Sequence, residues 1–261
     1  MKFLAARRRS PIVASALLIG ALAVVGLGYA AVSSVQPAQA AVGTQTQVEA
    51  GRQLYLTGCS SCHGLALQGT GAAPTLIGVG AAAVSFQVGT GRMPLAAPGA
   101  QAPANMPTYT DEEVAALAAY IASLAPGPAI PSAEQLDYAD ADIALGGELF
   151  RINCAQCHQA AGQGGALTQG KYAPNLMQST PQRIYEAMLT GPQSMPVFSD
   201  AQLNVEDKQA VIAYVRTLQT EASPGGLTLG KFGPVTEGVF LVTAAFGALI
   251  AAAVWIGIKA R

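Results

Sequence analysis

A chain of 261 residues that is 51% hydrophobic and only 11% charged is too apolar for an ordinary soluble protein, so contact with a membrane is expected. Aromatic residues make up 6% and glycines number 29, which leaves too few large side chains to fill a sizeable core unaided; a bulky apolar cofactor would supply the missing volume. The net charge of -1 conceals a separation: Lys2, Arg7, Arg8, Arg9, Lys259 and Arg261 lie at the two ends, while residues 41–258 hold fifteen acidic against eight basic side chains. Such an acidic middle argues against a nucleic-acid partner and suits either docking on a positively charged protein patch or plain solvation.

In chain order, residues 1–40 begin with the arginine cluster and continue as an uncharged apolar stretch from Pro11 to Val35. Small residues resembling a cleavage site follow at Ala38-Gln39-Ala40. This predicts a signal peptide, or an uncleaved N-terminal anchor, since the apolar run exceeds the usual signal core. Two segments, 41–127 and 128–222, then carry helical signals: "DEEVAALAAYIASL" has acidic residues in its first turn after Thr110, and "NVEDKQAVIAYVRTL" does likewise after Asn204. Strand-like alternation is nearly absent, so the fold class is all-α. A linker at 223–237 leads to "GVFLVTAAFGALIAAAVWIGI" at 238–258, uncharged over a length that spans hydrocarbon and flanked by Trp255, Lys259 and Arg261, which predicts a transmembrane helix. The basic residues at both ends place the intervening segments outside the cytoplasm and the C-terminus inside, whether the chain crosses the cell membrane once or twice.

All four cysteines and both histidines fall in two copies of one pattern, "CSSCH" at Cys59–His63 and "CAQCH" at Cys154–His158. Two disulfides are the ordinary expectation in an exported chain, but cysteines three apart bridge poorly within a helical turn, and a disulfide gives no role to the histidine after each pair. Zinc needs four ligands together, and a domain's length separates the motifs. In C-x-x-C-H each cysteine sulfur adds to one vinyl group of a haem, and the adjacent histidine reaches the iron from the same face. Two covalently bound haem c groups are therefore expected, one on Cys59, Cys62 and His63 and one on Cys154, Cys157 and His158.

No histidine is left for the opposite face of either iron, which leaves methionine, a weaker ligand or an open position. An internal repeat narrows the choice. "GRQLYLTGCSSCH" from Gly51 matches "GGELFRINCAQCH" from Gly146 at an offset of 95; further on, "APTL" matches "APNL", "TGRMP" matches "TGPQSMP", and "LAAYIASL" matches "VIAYVRTL". Met195 falls in this register, whereas Met188 sits in the preceding helical stretch and Met177 close behind the Pro loop, both as packing residues. In the first half Met93-Pro94 and Met106-Pro107 both fit; the register favours Met93 and makes Leu95 to Ala104 a Pro- and Ala-rich insertion. Carbonyls near Pro74 and Pro174 suit acceptance of each imidazole's second N–H, with plain turn prolines as the alternative. Tyr55 and Phe150 are expected to pack on the last helix of each half. Arg92 is read either as a propionate partner or as a solvated side chain.

Each half resembles a class I cytochrome c domain. The whole chain, with its export segment, tandem domains, single C-terminal membrane helix and "FQVGTGRMP" stretch, resembles the dihaem cytochrome c subunit of the actinobacterial cytochrome bc1 complex, a menaquinol:cytochrome c reductase. That resemblance implies an electron-transfer subunit of a quinol–cytochrome-c reductase with no bond-making chemistry of its own, relaying electrons from a Rieske iron-sulfur protein to a terminal oxidase. The implied partners are cytochrome b, the Rieske subunit and an aa3-type cytochrome c oxidase in a supercomplex, in a dimeric assembly. A dihaem subunit of another reductase or dehydrogenase, and a dihaem peroxidase, remain the alternative readings.

Overall fold

The computed structural model describes residues 11–33, 43–97, 99–221 and 234–259, in two compact units, 1–39 and 40–261. In the first, helix α1 (Pro11–Ser33) runs without a break for 23 residues, about 35 Å at 1.5 Å per residue. Its Leu17, Leu18, Ile19 and Val24 are exposed. The leading arginines and the Ala38-Gln39-Ala40 segment lie outside the described residues.

The second unit contains two helical repeats. The first comprises α2 (Gln45–Gly58), the single turn α3 (Ser60–His63), α4 (Gly80–Gly89) and α5 (Asp111–Leu124); the second comprises α6 (Ile143–Asn153), α7 (Ala155–His158), α8 (Pro181–Thr190) and α9 (Val205–Thr220). Between α7 and α8 lie two two-residue strands, β1 (Gly165–Ala166) and β2 (Tyr172–Ala173), paired antiparallel with Gly165 opposite Ala173. The fold is all-α apart from this short hairpin, which is too short for alternation to betray it.

Local chemistry sets the helix starts. Thr110 and Glu113 form a reciprocal capping box at α5, Asn204 and Asp207 form another at α9, and both helices carry acidic residues in the first turn, where the exposed N–H groups favour negative charge. Asp142 accepts from the Ala144 and Leu145 N–H groups at α6. Thr180 caps α8, whose first residue is Pro181, tolerated there because that N–H has no helical partner.

Within each repeat the first and last helices cross at a glycine. A Cβ at Gly51 would collide with the Ala116 carbonyl of α5, and one at Gly146 with the Ala210 carbonyl of α9. The same crossings are locked by aromatic pairs, Tyr55 on Tyr120 with centroids 5.5 Å apart and Phe150 on Tyr214 at 5.4 Å. Each repeat has its own buried cluster, one around Tyr55, Leu67, Leu117 and Ile121, the other around Phe150, Tyr185, Ile212 and Val215.

The repeats also touch each other. Helix α4 packs on α8, and Arg183 of α8 donates to the Ser85 carbonyl at 2.6 Å and to Ser85 Oγ at 3.0 Å. The insertion after Met93, of which Pro98 lies outside the described residues, reaches across to the second repeat. There Gln101 both donates to the Tyr172 carbonyl (2.9 Å) and accepts from the Tyr172 N–H (2.8 Å).

Helix α10 (Pro234–Lys259) begins four residues before the predicted 238–258 span; most of the linker at 223–237 lies outside the described residues. Thr236–Lys259 is long and apolar enough to cross a membrane, with a mean hydropathy of 2.4 over its most apolar stretch and no burial against the rest of the chain. Its one mid-helix hydroxyl, on Thr243, donates back to the Val239 carbonyl at 2.7 Å, so no polar group there is left bare.

Candidate functional site

Both CxxCH motifs are built the same way. Helix α2 ends at Gly58, the Cys59 N–H still donates to the Tyr55 carbonyl at 2.9 Å, and the chain turns once more so that the His63 N–H donates to the Cys59 carbonyl at 3.0 Å. The second motif repeats this, with Cys154 N–H on Phe150 (2.8 Å) and His158 N–H on Cys154 (2.9 Å). A single helical turn thus presents two thiols and an imidazole together. No cysteine is bridged to another; Cys154 is buried, Cys59 half-buried, and Cys62 and Cys157 exposed. Among the described residues no three His, Cys, Asp or Glu side chains converge as a metal-ion site.

The imidazoles are fixed by the Pro loops. His63 Nδ1 lies 2.8 Å from the Pro74 carbonyl and His158 Nδ1 lies 2.9 Å from the Pro174 carbonyl. A carbonyl can only accept, so Nδ1 carries the proton in both rings and Nε2 keeps a free lone pair. The loops are tied back by matching bonds, Gly69 N–H to the His63 carbonyl at 2.8 Å and Gly164 N–H to the His158 carbonyl at 2.9 Å. Burial lowers the His158 pKa against the opposing bond to Pro174, which keeps the ring neutral. Burial, with a smaller contribution from Cys157, pushes the Cys154 thiol up to about 11, so it is protonated at neutral pH.

The sulfur atoms named from the sequence occupy contrasting places. Met93 is partly buried against the first core, as are Cys59, Leu76 and Tyr109, whereas Met106 is 90% exposed. Met195 packs against the second core. Met188 is buried in α8, and the Met177 methyl lies against Gly162.

Cys154, Cys157, His158 and Met195 border one cavity of about 480 Å³, with Met188 on its wall. The residues fit a large apolar group attached at its edge: free thiols, a neutral imidazole with Nε2 unencumbered, and a thioether meet in a largely apolar space. Sequence reasoning missed that Phe86, Thr90, Arg92 and Gln101 of the first repeat border the same cavity, as does Arg183. Arg92 is also buried, not solvated. One signal pointed there: the repeat register is broken at "TGRMP" against "TGPQSMP", and Arg92 has no basic counterpart in the second half.

Residues 48–125 match the family described as cytochrome c, and residues 141–215 match the family described as cytochrome C oxidase, cbb3-type, subunit III. The chain is 43% identical over 267 residues to the cytochrome bc1 complex cytochrome c subunit of Corynebacterium efficiens, covering 96% of this chain and 90% of that one. It is 45% identical to the same subunit of Mycobacterium leprae, over 94% of this chain and 87% of that one, and 44% identical to that of Mycobacterium tuberculosis, over 97% and 93%. The chain belongs to the family of cytochrome bc1 complex cytochrome c subunits. As such a subunit it has two cytochrome c domains and a C-terminal helix fit to anchor it in a membrane. Two domains of this kind carry two covalent haem c groups, and the chain's two CxxCH pairs are Cys59 with Cys62 and Cys154 with Cys157.

Proposed function

We propose that this bc1-complex cytochrome c subunit relays single electrons from a Rieske iron-sulfur protein to a terminal aa3-type cytochrome c oxidase, beside cytochrome b in a dimeric quinol–cytochrome-c reductase. The haem domains, 41–127 and 128–222, lie on the extracytoplasmic side of the cell membrane; the positive ends of the chain support that sidedness. When bound, the haem groups supply one-electron exchange at iron. Cys59 and Cys62 would hold one covalently and Cys154 and Cys157 the other; His63 and His158 would offer Nε2, and Met93 and Met195 their thioethers, as iron ligands. The Pro74 and Pro174 carbonyls orient each imidazole and make it a better donor.

The observation that carries this reading is duplication: the same turn, the same Nδ1 bond and a partly buried methionine occur in both repeats. A relay needs two equivalent, closed sites, whereas a peroxidase needs one left open. The test is a redox titration of the purified complex. Met93→Leu and Met195→Leu should each remove the thioether-to-iron absorption band of one haem. Each should also lower one potential by on the order of 0.1 V, a fraction of the ~0.8 V that axial ligation spans. Met106→Leu should leave both haems untouched. An unaltered band in the Met195→Leu protein sinks the assignment.

A further inference from the structure

Arg92 is a cation that its own domain leaves without a counter-ion. It is only 8% exposed, donates to Thr90 Oγ1 at 2.6 Å and lies over the Phe86 ring at 4.9 Å. A guanidinium has five N–H donors, and among the described residues no carboxylate lies within ion-pair distance of this one. Burying an unpaired charge is strongly unfavourable, so a buried guanidinium facing a cavity is a site for an anion. The cavity it faces is that of the other repeat, bordered by Cys154, His158 and Met195.

Its neighbour Arg183 does not share this condition. Arg183 has its charge matched by Glu186, whose carboxylate is fully buried and lies 2.7 Å away, and its Nη1 also donates to Ser85. Gly89 makes room for it, since a Cβ there would run into the Arg183 guanidinium. Of the two cations that border the cavity, Arg183 is thus neutralised by Glu186 and Arg92 is left with surplus charge. Docking of the repeats, through the Arg183–Ser85 bonds and the Gln101–Tyr172 pair, fixes where that charge is presented.

We propose that Arg92, supplied by the first repeat, binds a propionate carboxylate of the haem held by the second, so that the second cofactor site is completed across the domain boundary. The inference rests on the assignment of that haem to Cys154, Cys157 and His158. A fork of parallel N–H groups matches a carboxylate in two bonds, which a lysine cannot reproduce. Because Arg92 immediately precedes Met93, the proposed axial ligand of the first haem, one peptide unit and one ion pair then join the two sites. A fixed positive charge at the propionate edge favours the reduced state of the second haem and raises its potential.

The test is an optical redox titration of the detergent-purified complex carrying Arg92→Gln, alongside a haem count per chain. The second haem is identified as the one whose potential moves in Met195→Leu. Arg92→Gln should keep two covalent haems and both thioether-to-iron bands. The reduction equilibrium of the second haem should shift about tenfold toward the oxidised form, for a full charge acting at an effective dielectric near ~20, or about 59 mV for one electron. Arg92→Lys should fall between, and gives the same readout if the glutamine variant does not accumulate. A shift confined to the first haem overturns the proposal and assigns Arg92 to supporting Met93; no shift in either haem overturns it outright. A haem count of one in the unaltered protein instead overturns the underlying assignment.

Discussion

The two repeats share their attachment chemistry and differ in their surroundings. Helix crossing, CxxCH turn and histidine anchor superpose in kind, but the histidine and its proline carbonyl acceptor are 11 positions apart in the first repeat and 16 in the second, where the longer loop contains the β1–β2 hairpin. The first repeat has the insertion after Met93, and that insertion, with α4, forms part of the wall around the second repeat's cavity. What is duplicated serves to hold a cofactor; what is not duplicated serves to join the two holders.

The largest effect that sharpens this contrast comes from removing attachment on one side at a time. Cys59→Ser with Cys62→Ser, and Cys154→Ser with Cys157→Ser, should each reduce covalent haem from two to one per chain in a pyridine haemochromogen assay. The second pair should do more. If the first repeat packs on that cofactor as proposed, its loss should let limited proteolysis cut the 95–104 insertion faster than in the first pair's variant. Equal cutting in the two variants would show the repeats to be independent and break the asymmetry.

A smaller effect probes what the repeats have in common. Gly51→Val and Gly146→Val each drive a side chain into the backbone of the partner helix, at the Ala116 and Ala210 carbonyls respectively. Neither helix can yield locally, because an aromatic pair one turn further on clamps it. Each variant should lose about 3 kcal/mol, the upper part of the usual overpacking range. Thermal unfolding of the haem-loaded chain, followed by Soret circular dichroism, should show the loss in one domain at a time. A much smaller loss at one glycine would mean that its crossing is looser than its twin's.

Much of this common frame was legible in the residues. The acidic first turns after Thr110 and Asn204 marked two helix starts, the offset of 95 aligned Gly51 with Gly146 and Tyr55 with Phe150, and the Cys and His spacing marked both turns. These signals are local, or pair residues within one repeat. Arg92 was ambiguous because its surroundings depend on Arg183 and Ser85, 98 positions apart in sequence, meeting across the boundary. No periodicity records such a meeting. The choice between Met93 and Met106 was likewise open to sequence, since a Met-Pro pair looks the same exposed or half-buried.

The smallest effect concerns the residue after each histidine. Gly64 holds φ at 81°, which costs glycine nothing, and its carbonyl accepts from the buried Tyr55 hydroxyl at 2.5 Å. The equivalent Gln159 holds φ at 62° and ψ at 162°, a region open essentially to glycine alone that costs a side chain on the order of 1–3 kcal/mol, and Phe150 has no hydroxyl with which to steady the corner. Gln159→Gly relieves that cost but frees the unfolded chain, returning roughly 0.5–1 kcal/mol. The balance is a gain of about 0.5 to 2 kcal/mol in the second domain. Gly64→Ala runs the other way and should destabilise the first domain by at least as much, since a Cβ there also meets the Gln68 side-chain amide at 2.5 Å. Since the turn leads directly from the imidazole, the second domain carries strain at its ligand corner that the first does not; opposite signs in the two unfolding midpoints are the expected outcome, and a loss of stability in Gln159→Gly would show that its side chain, not its backbone, matters there.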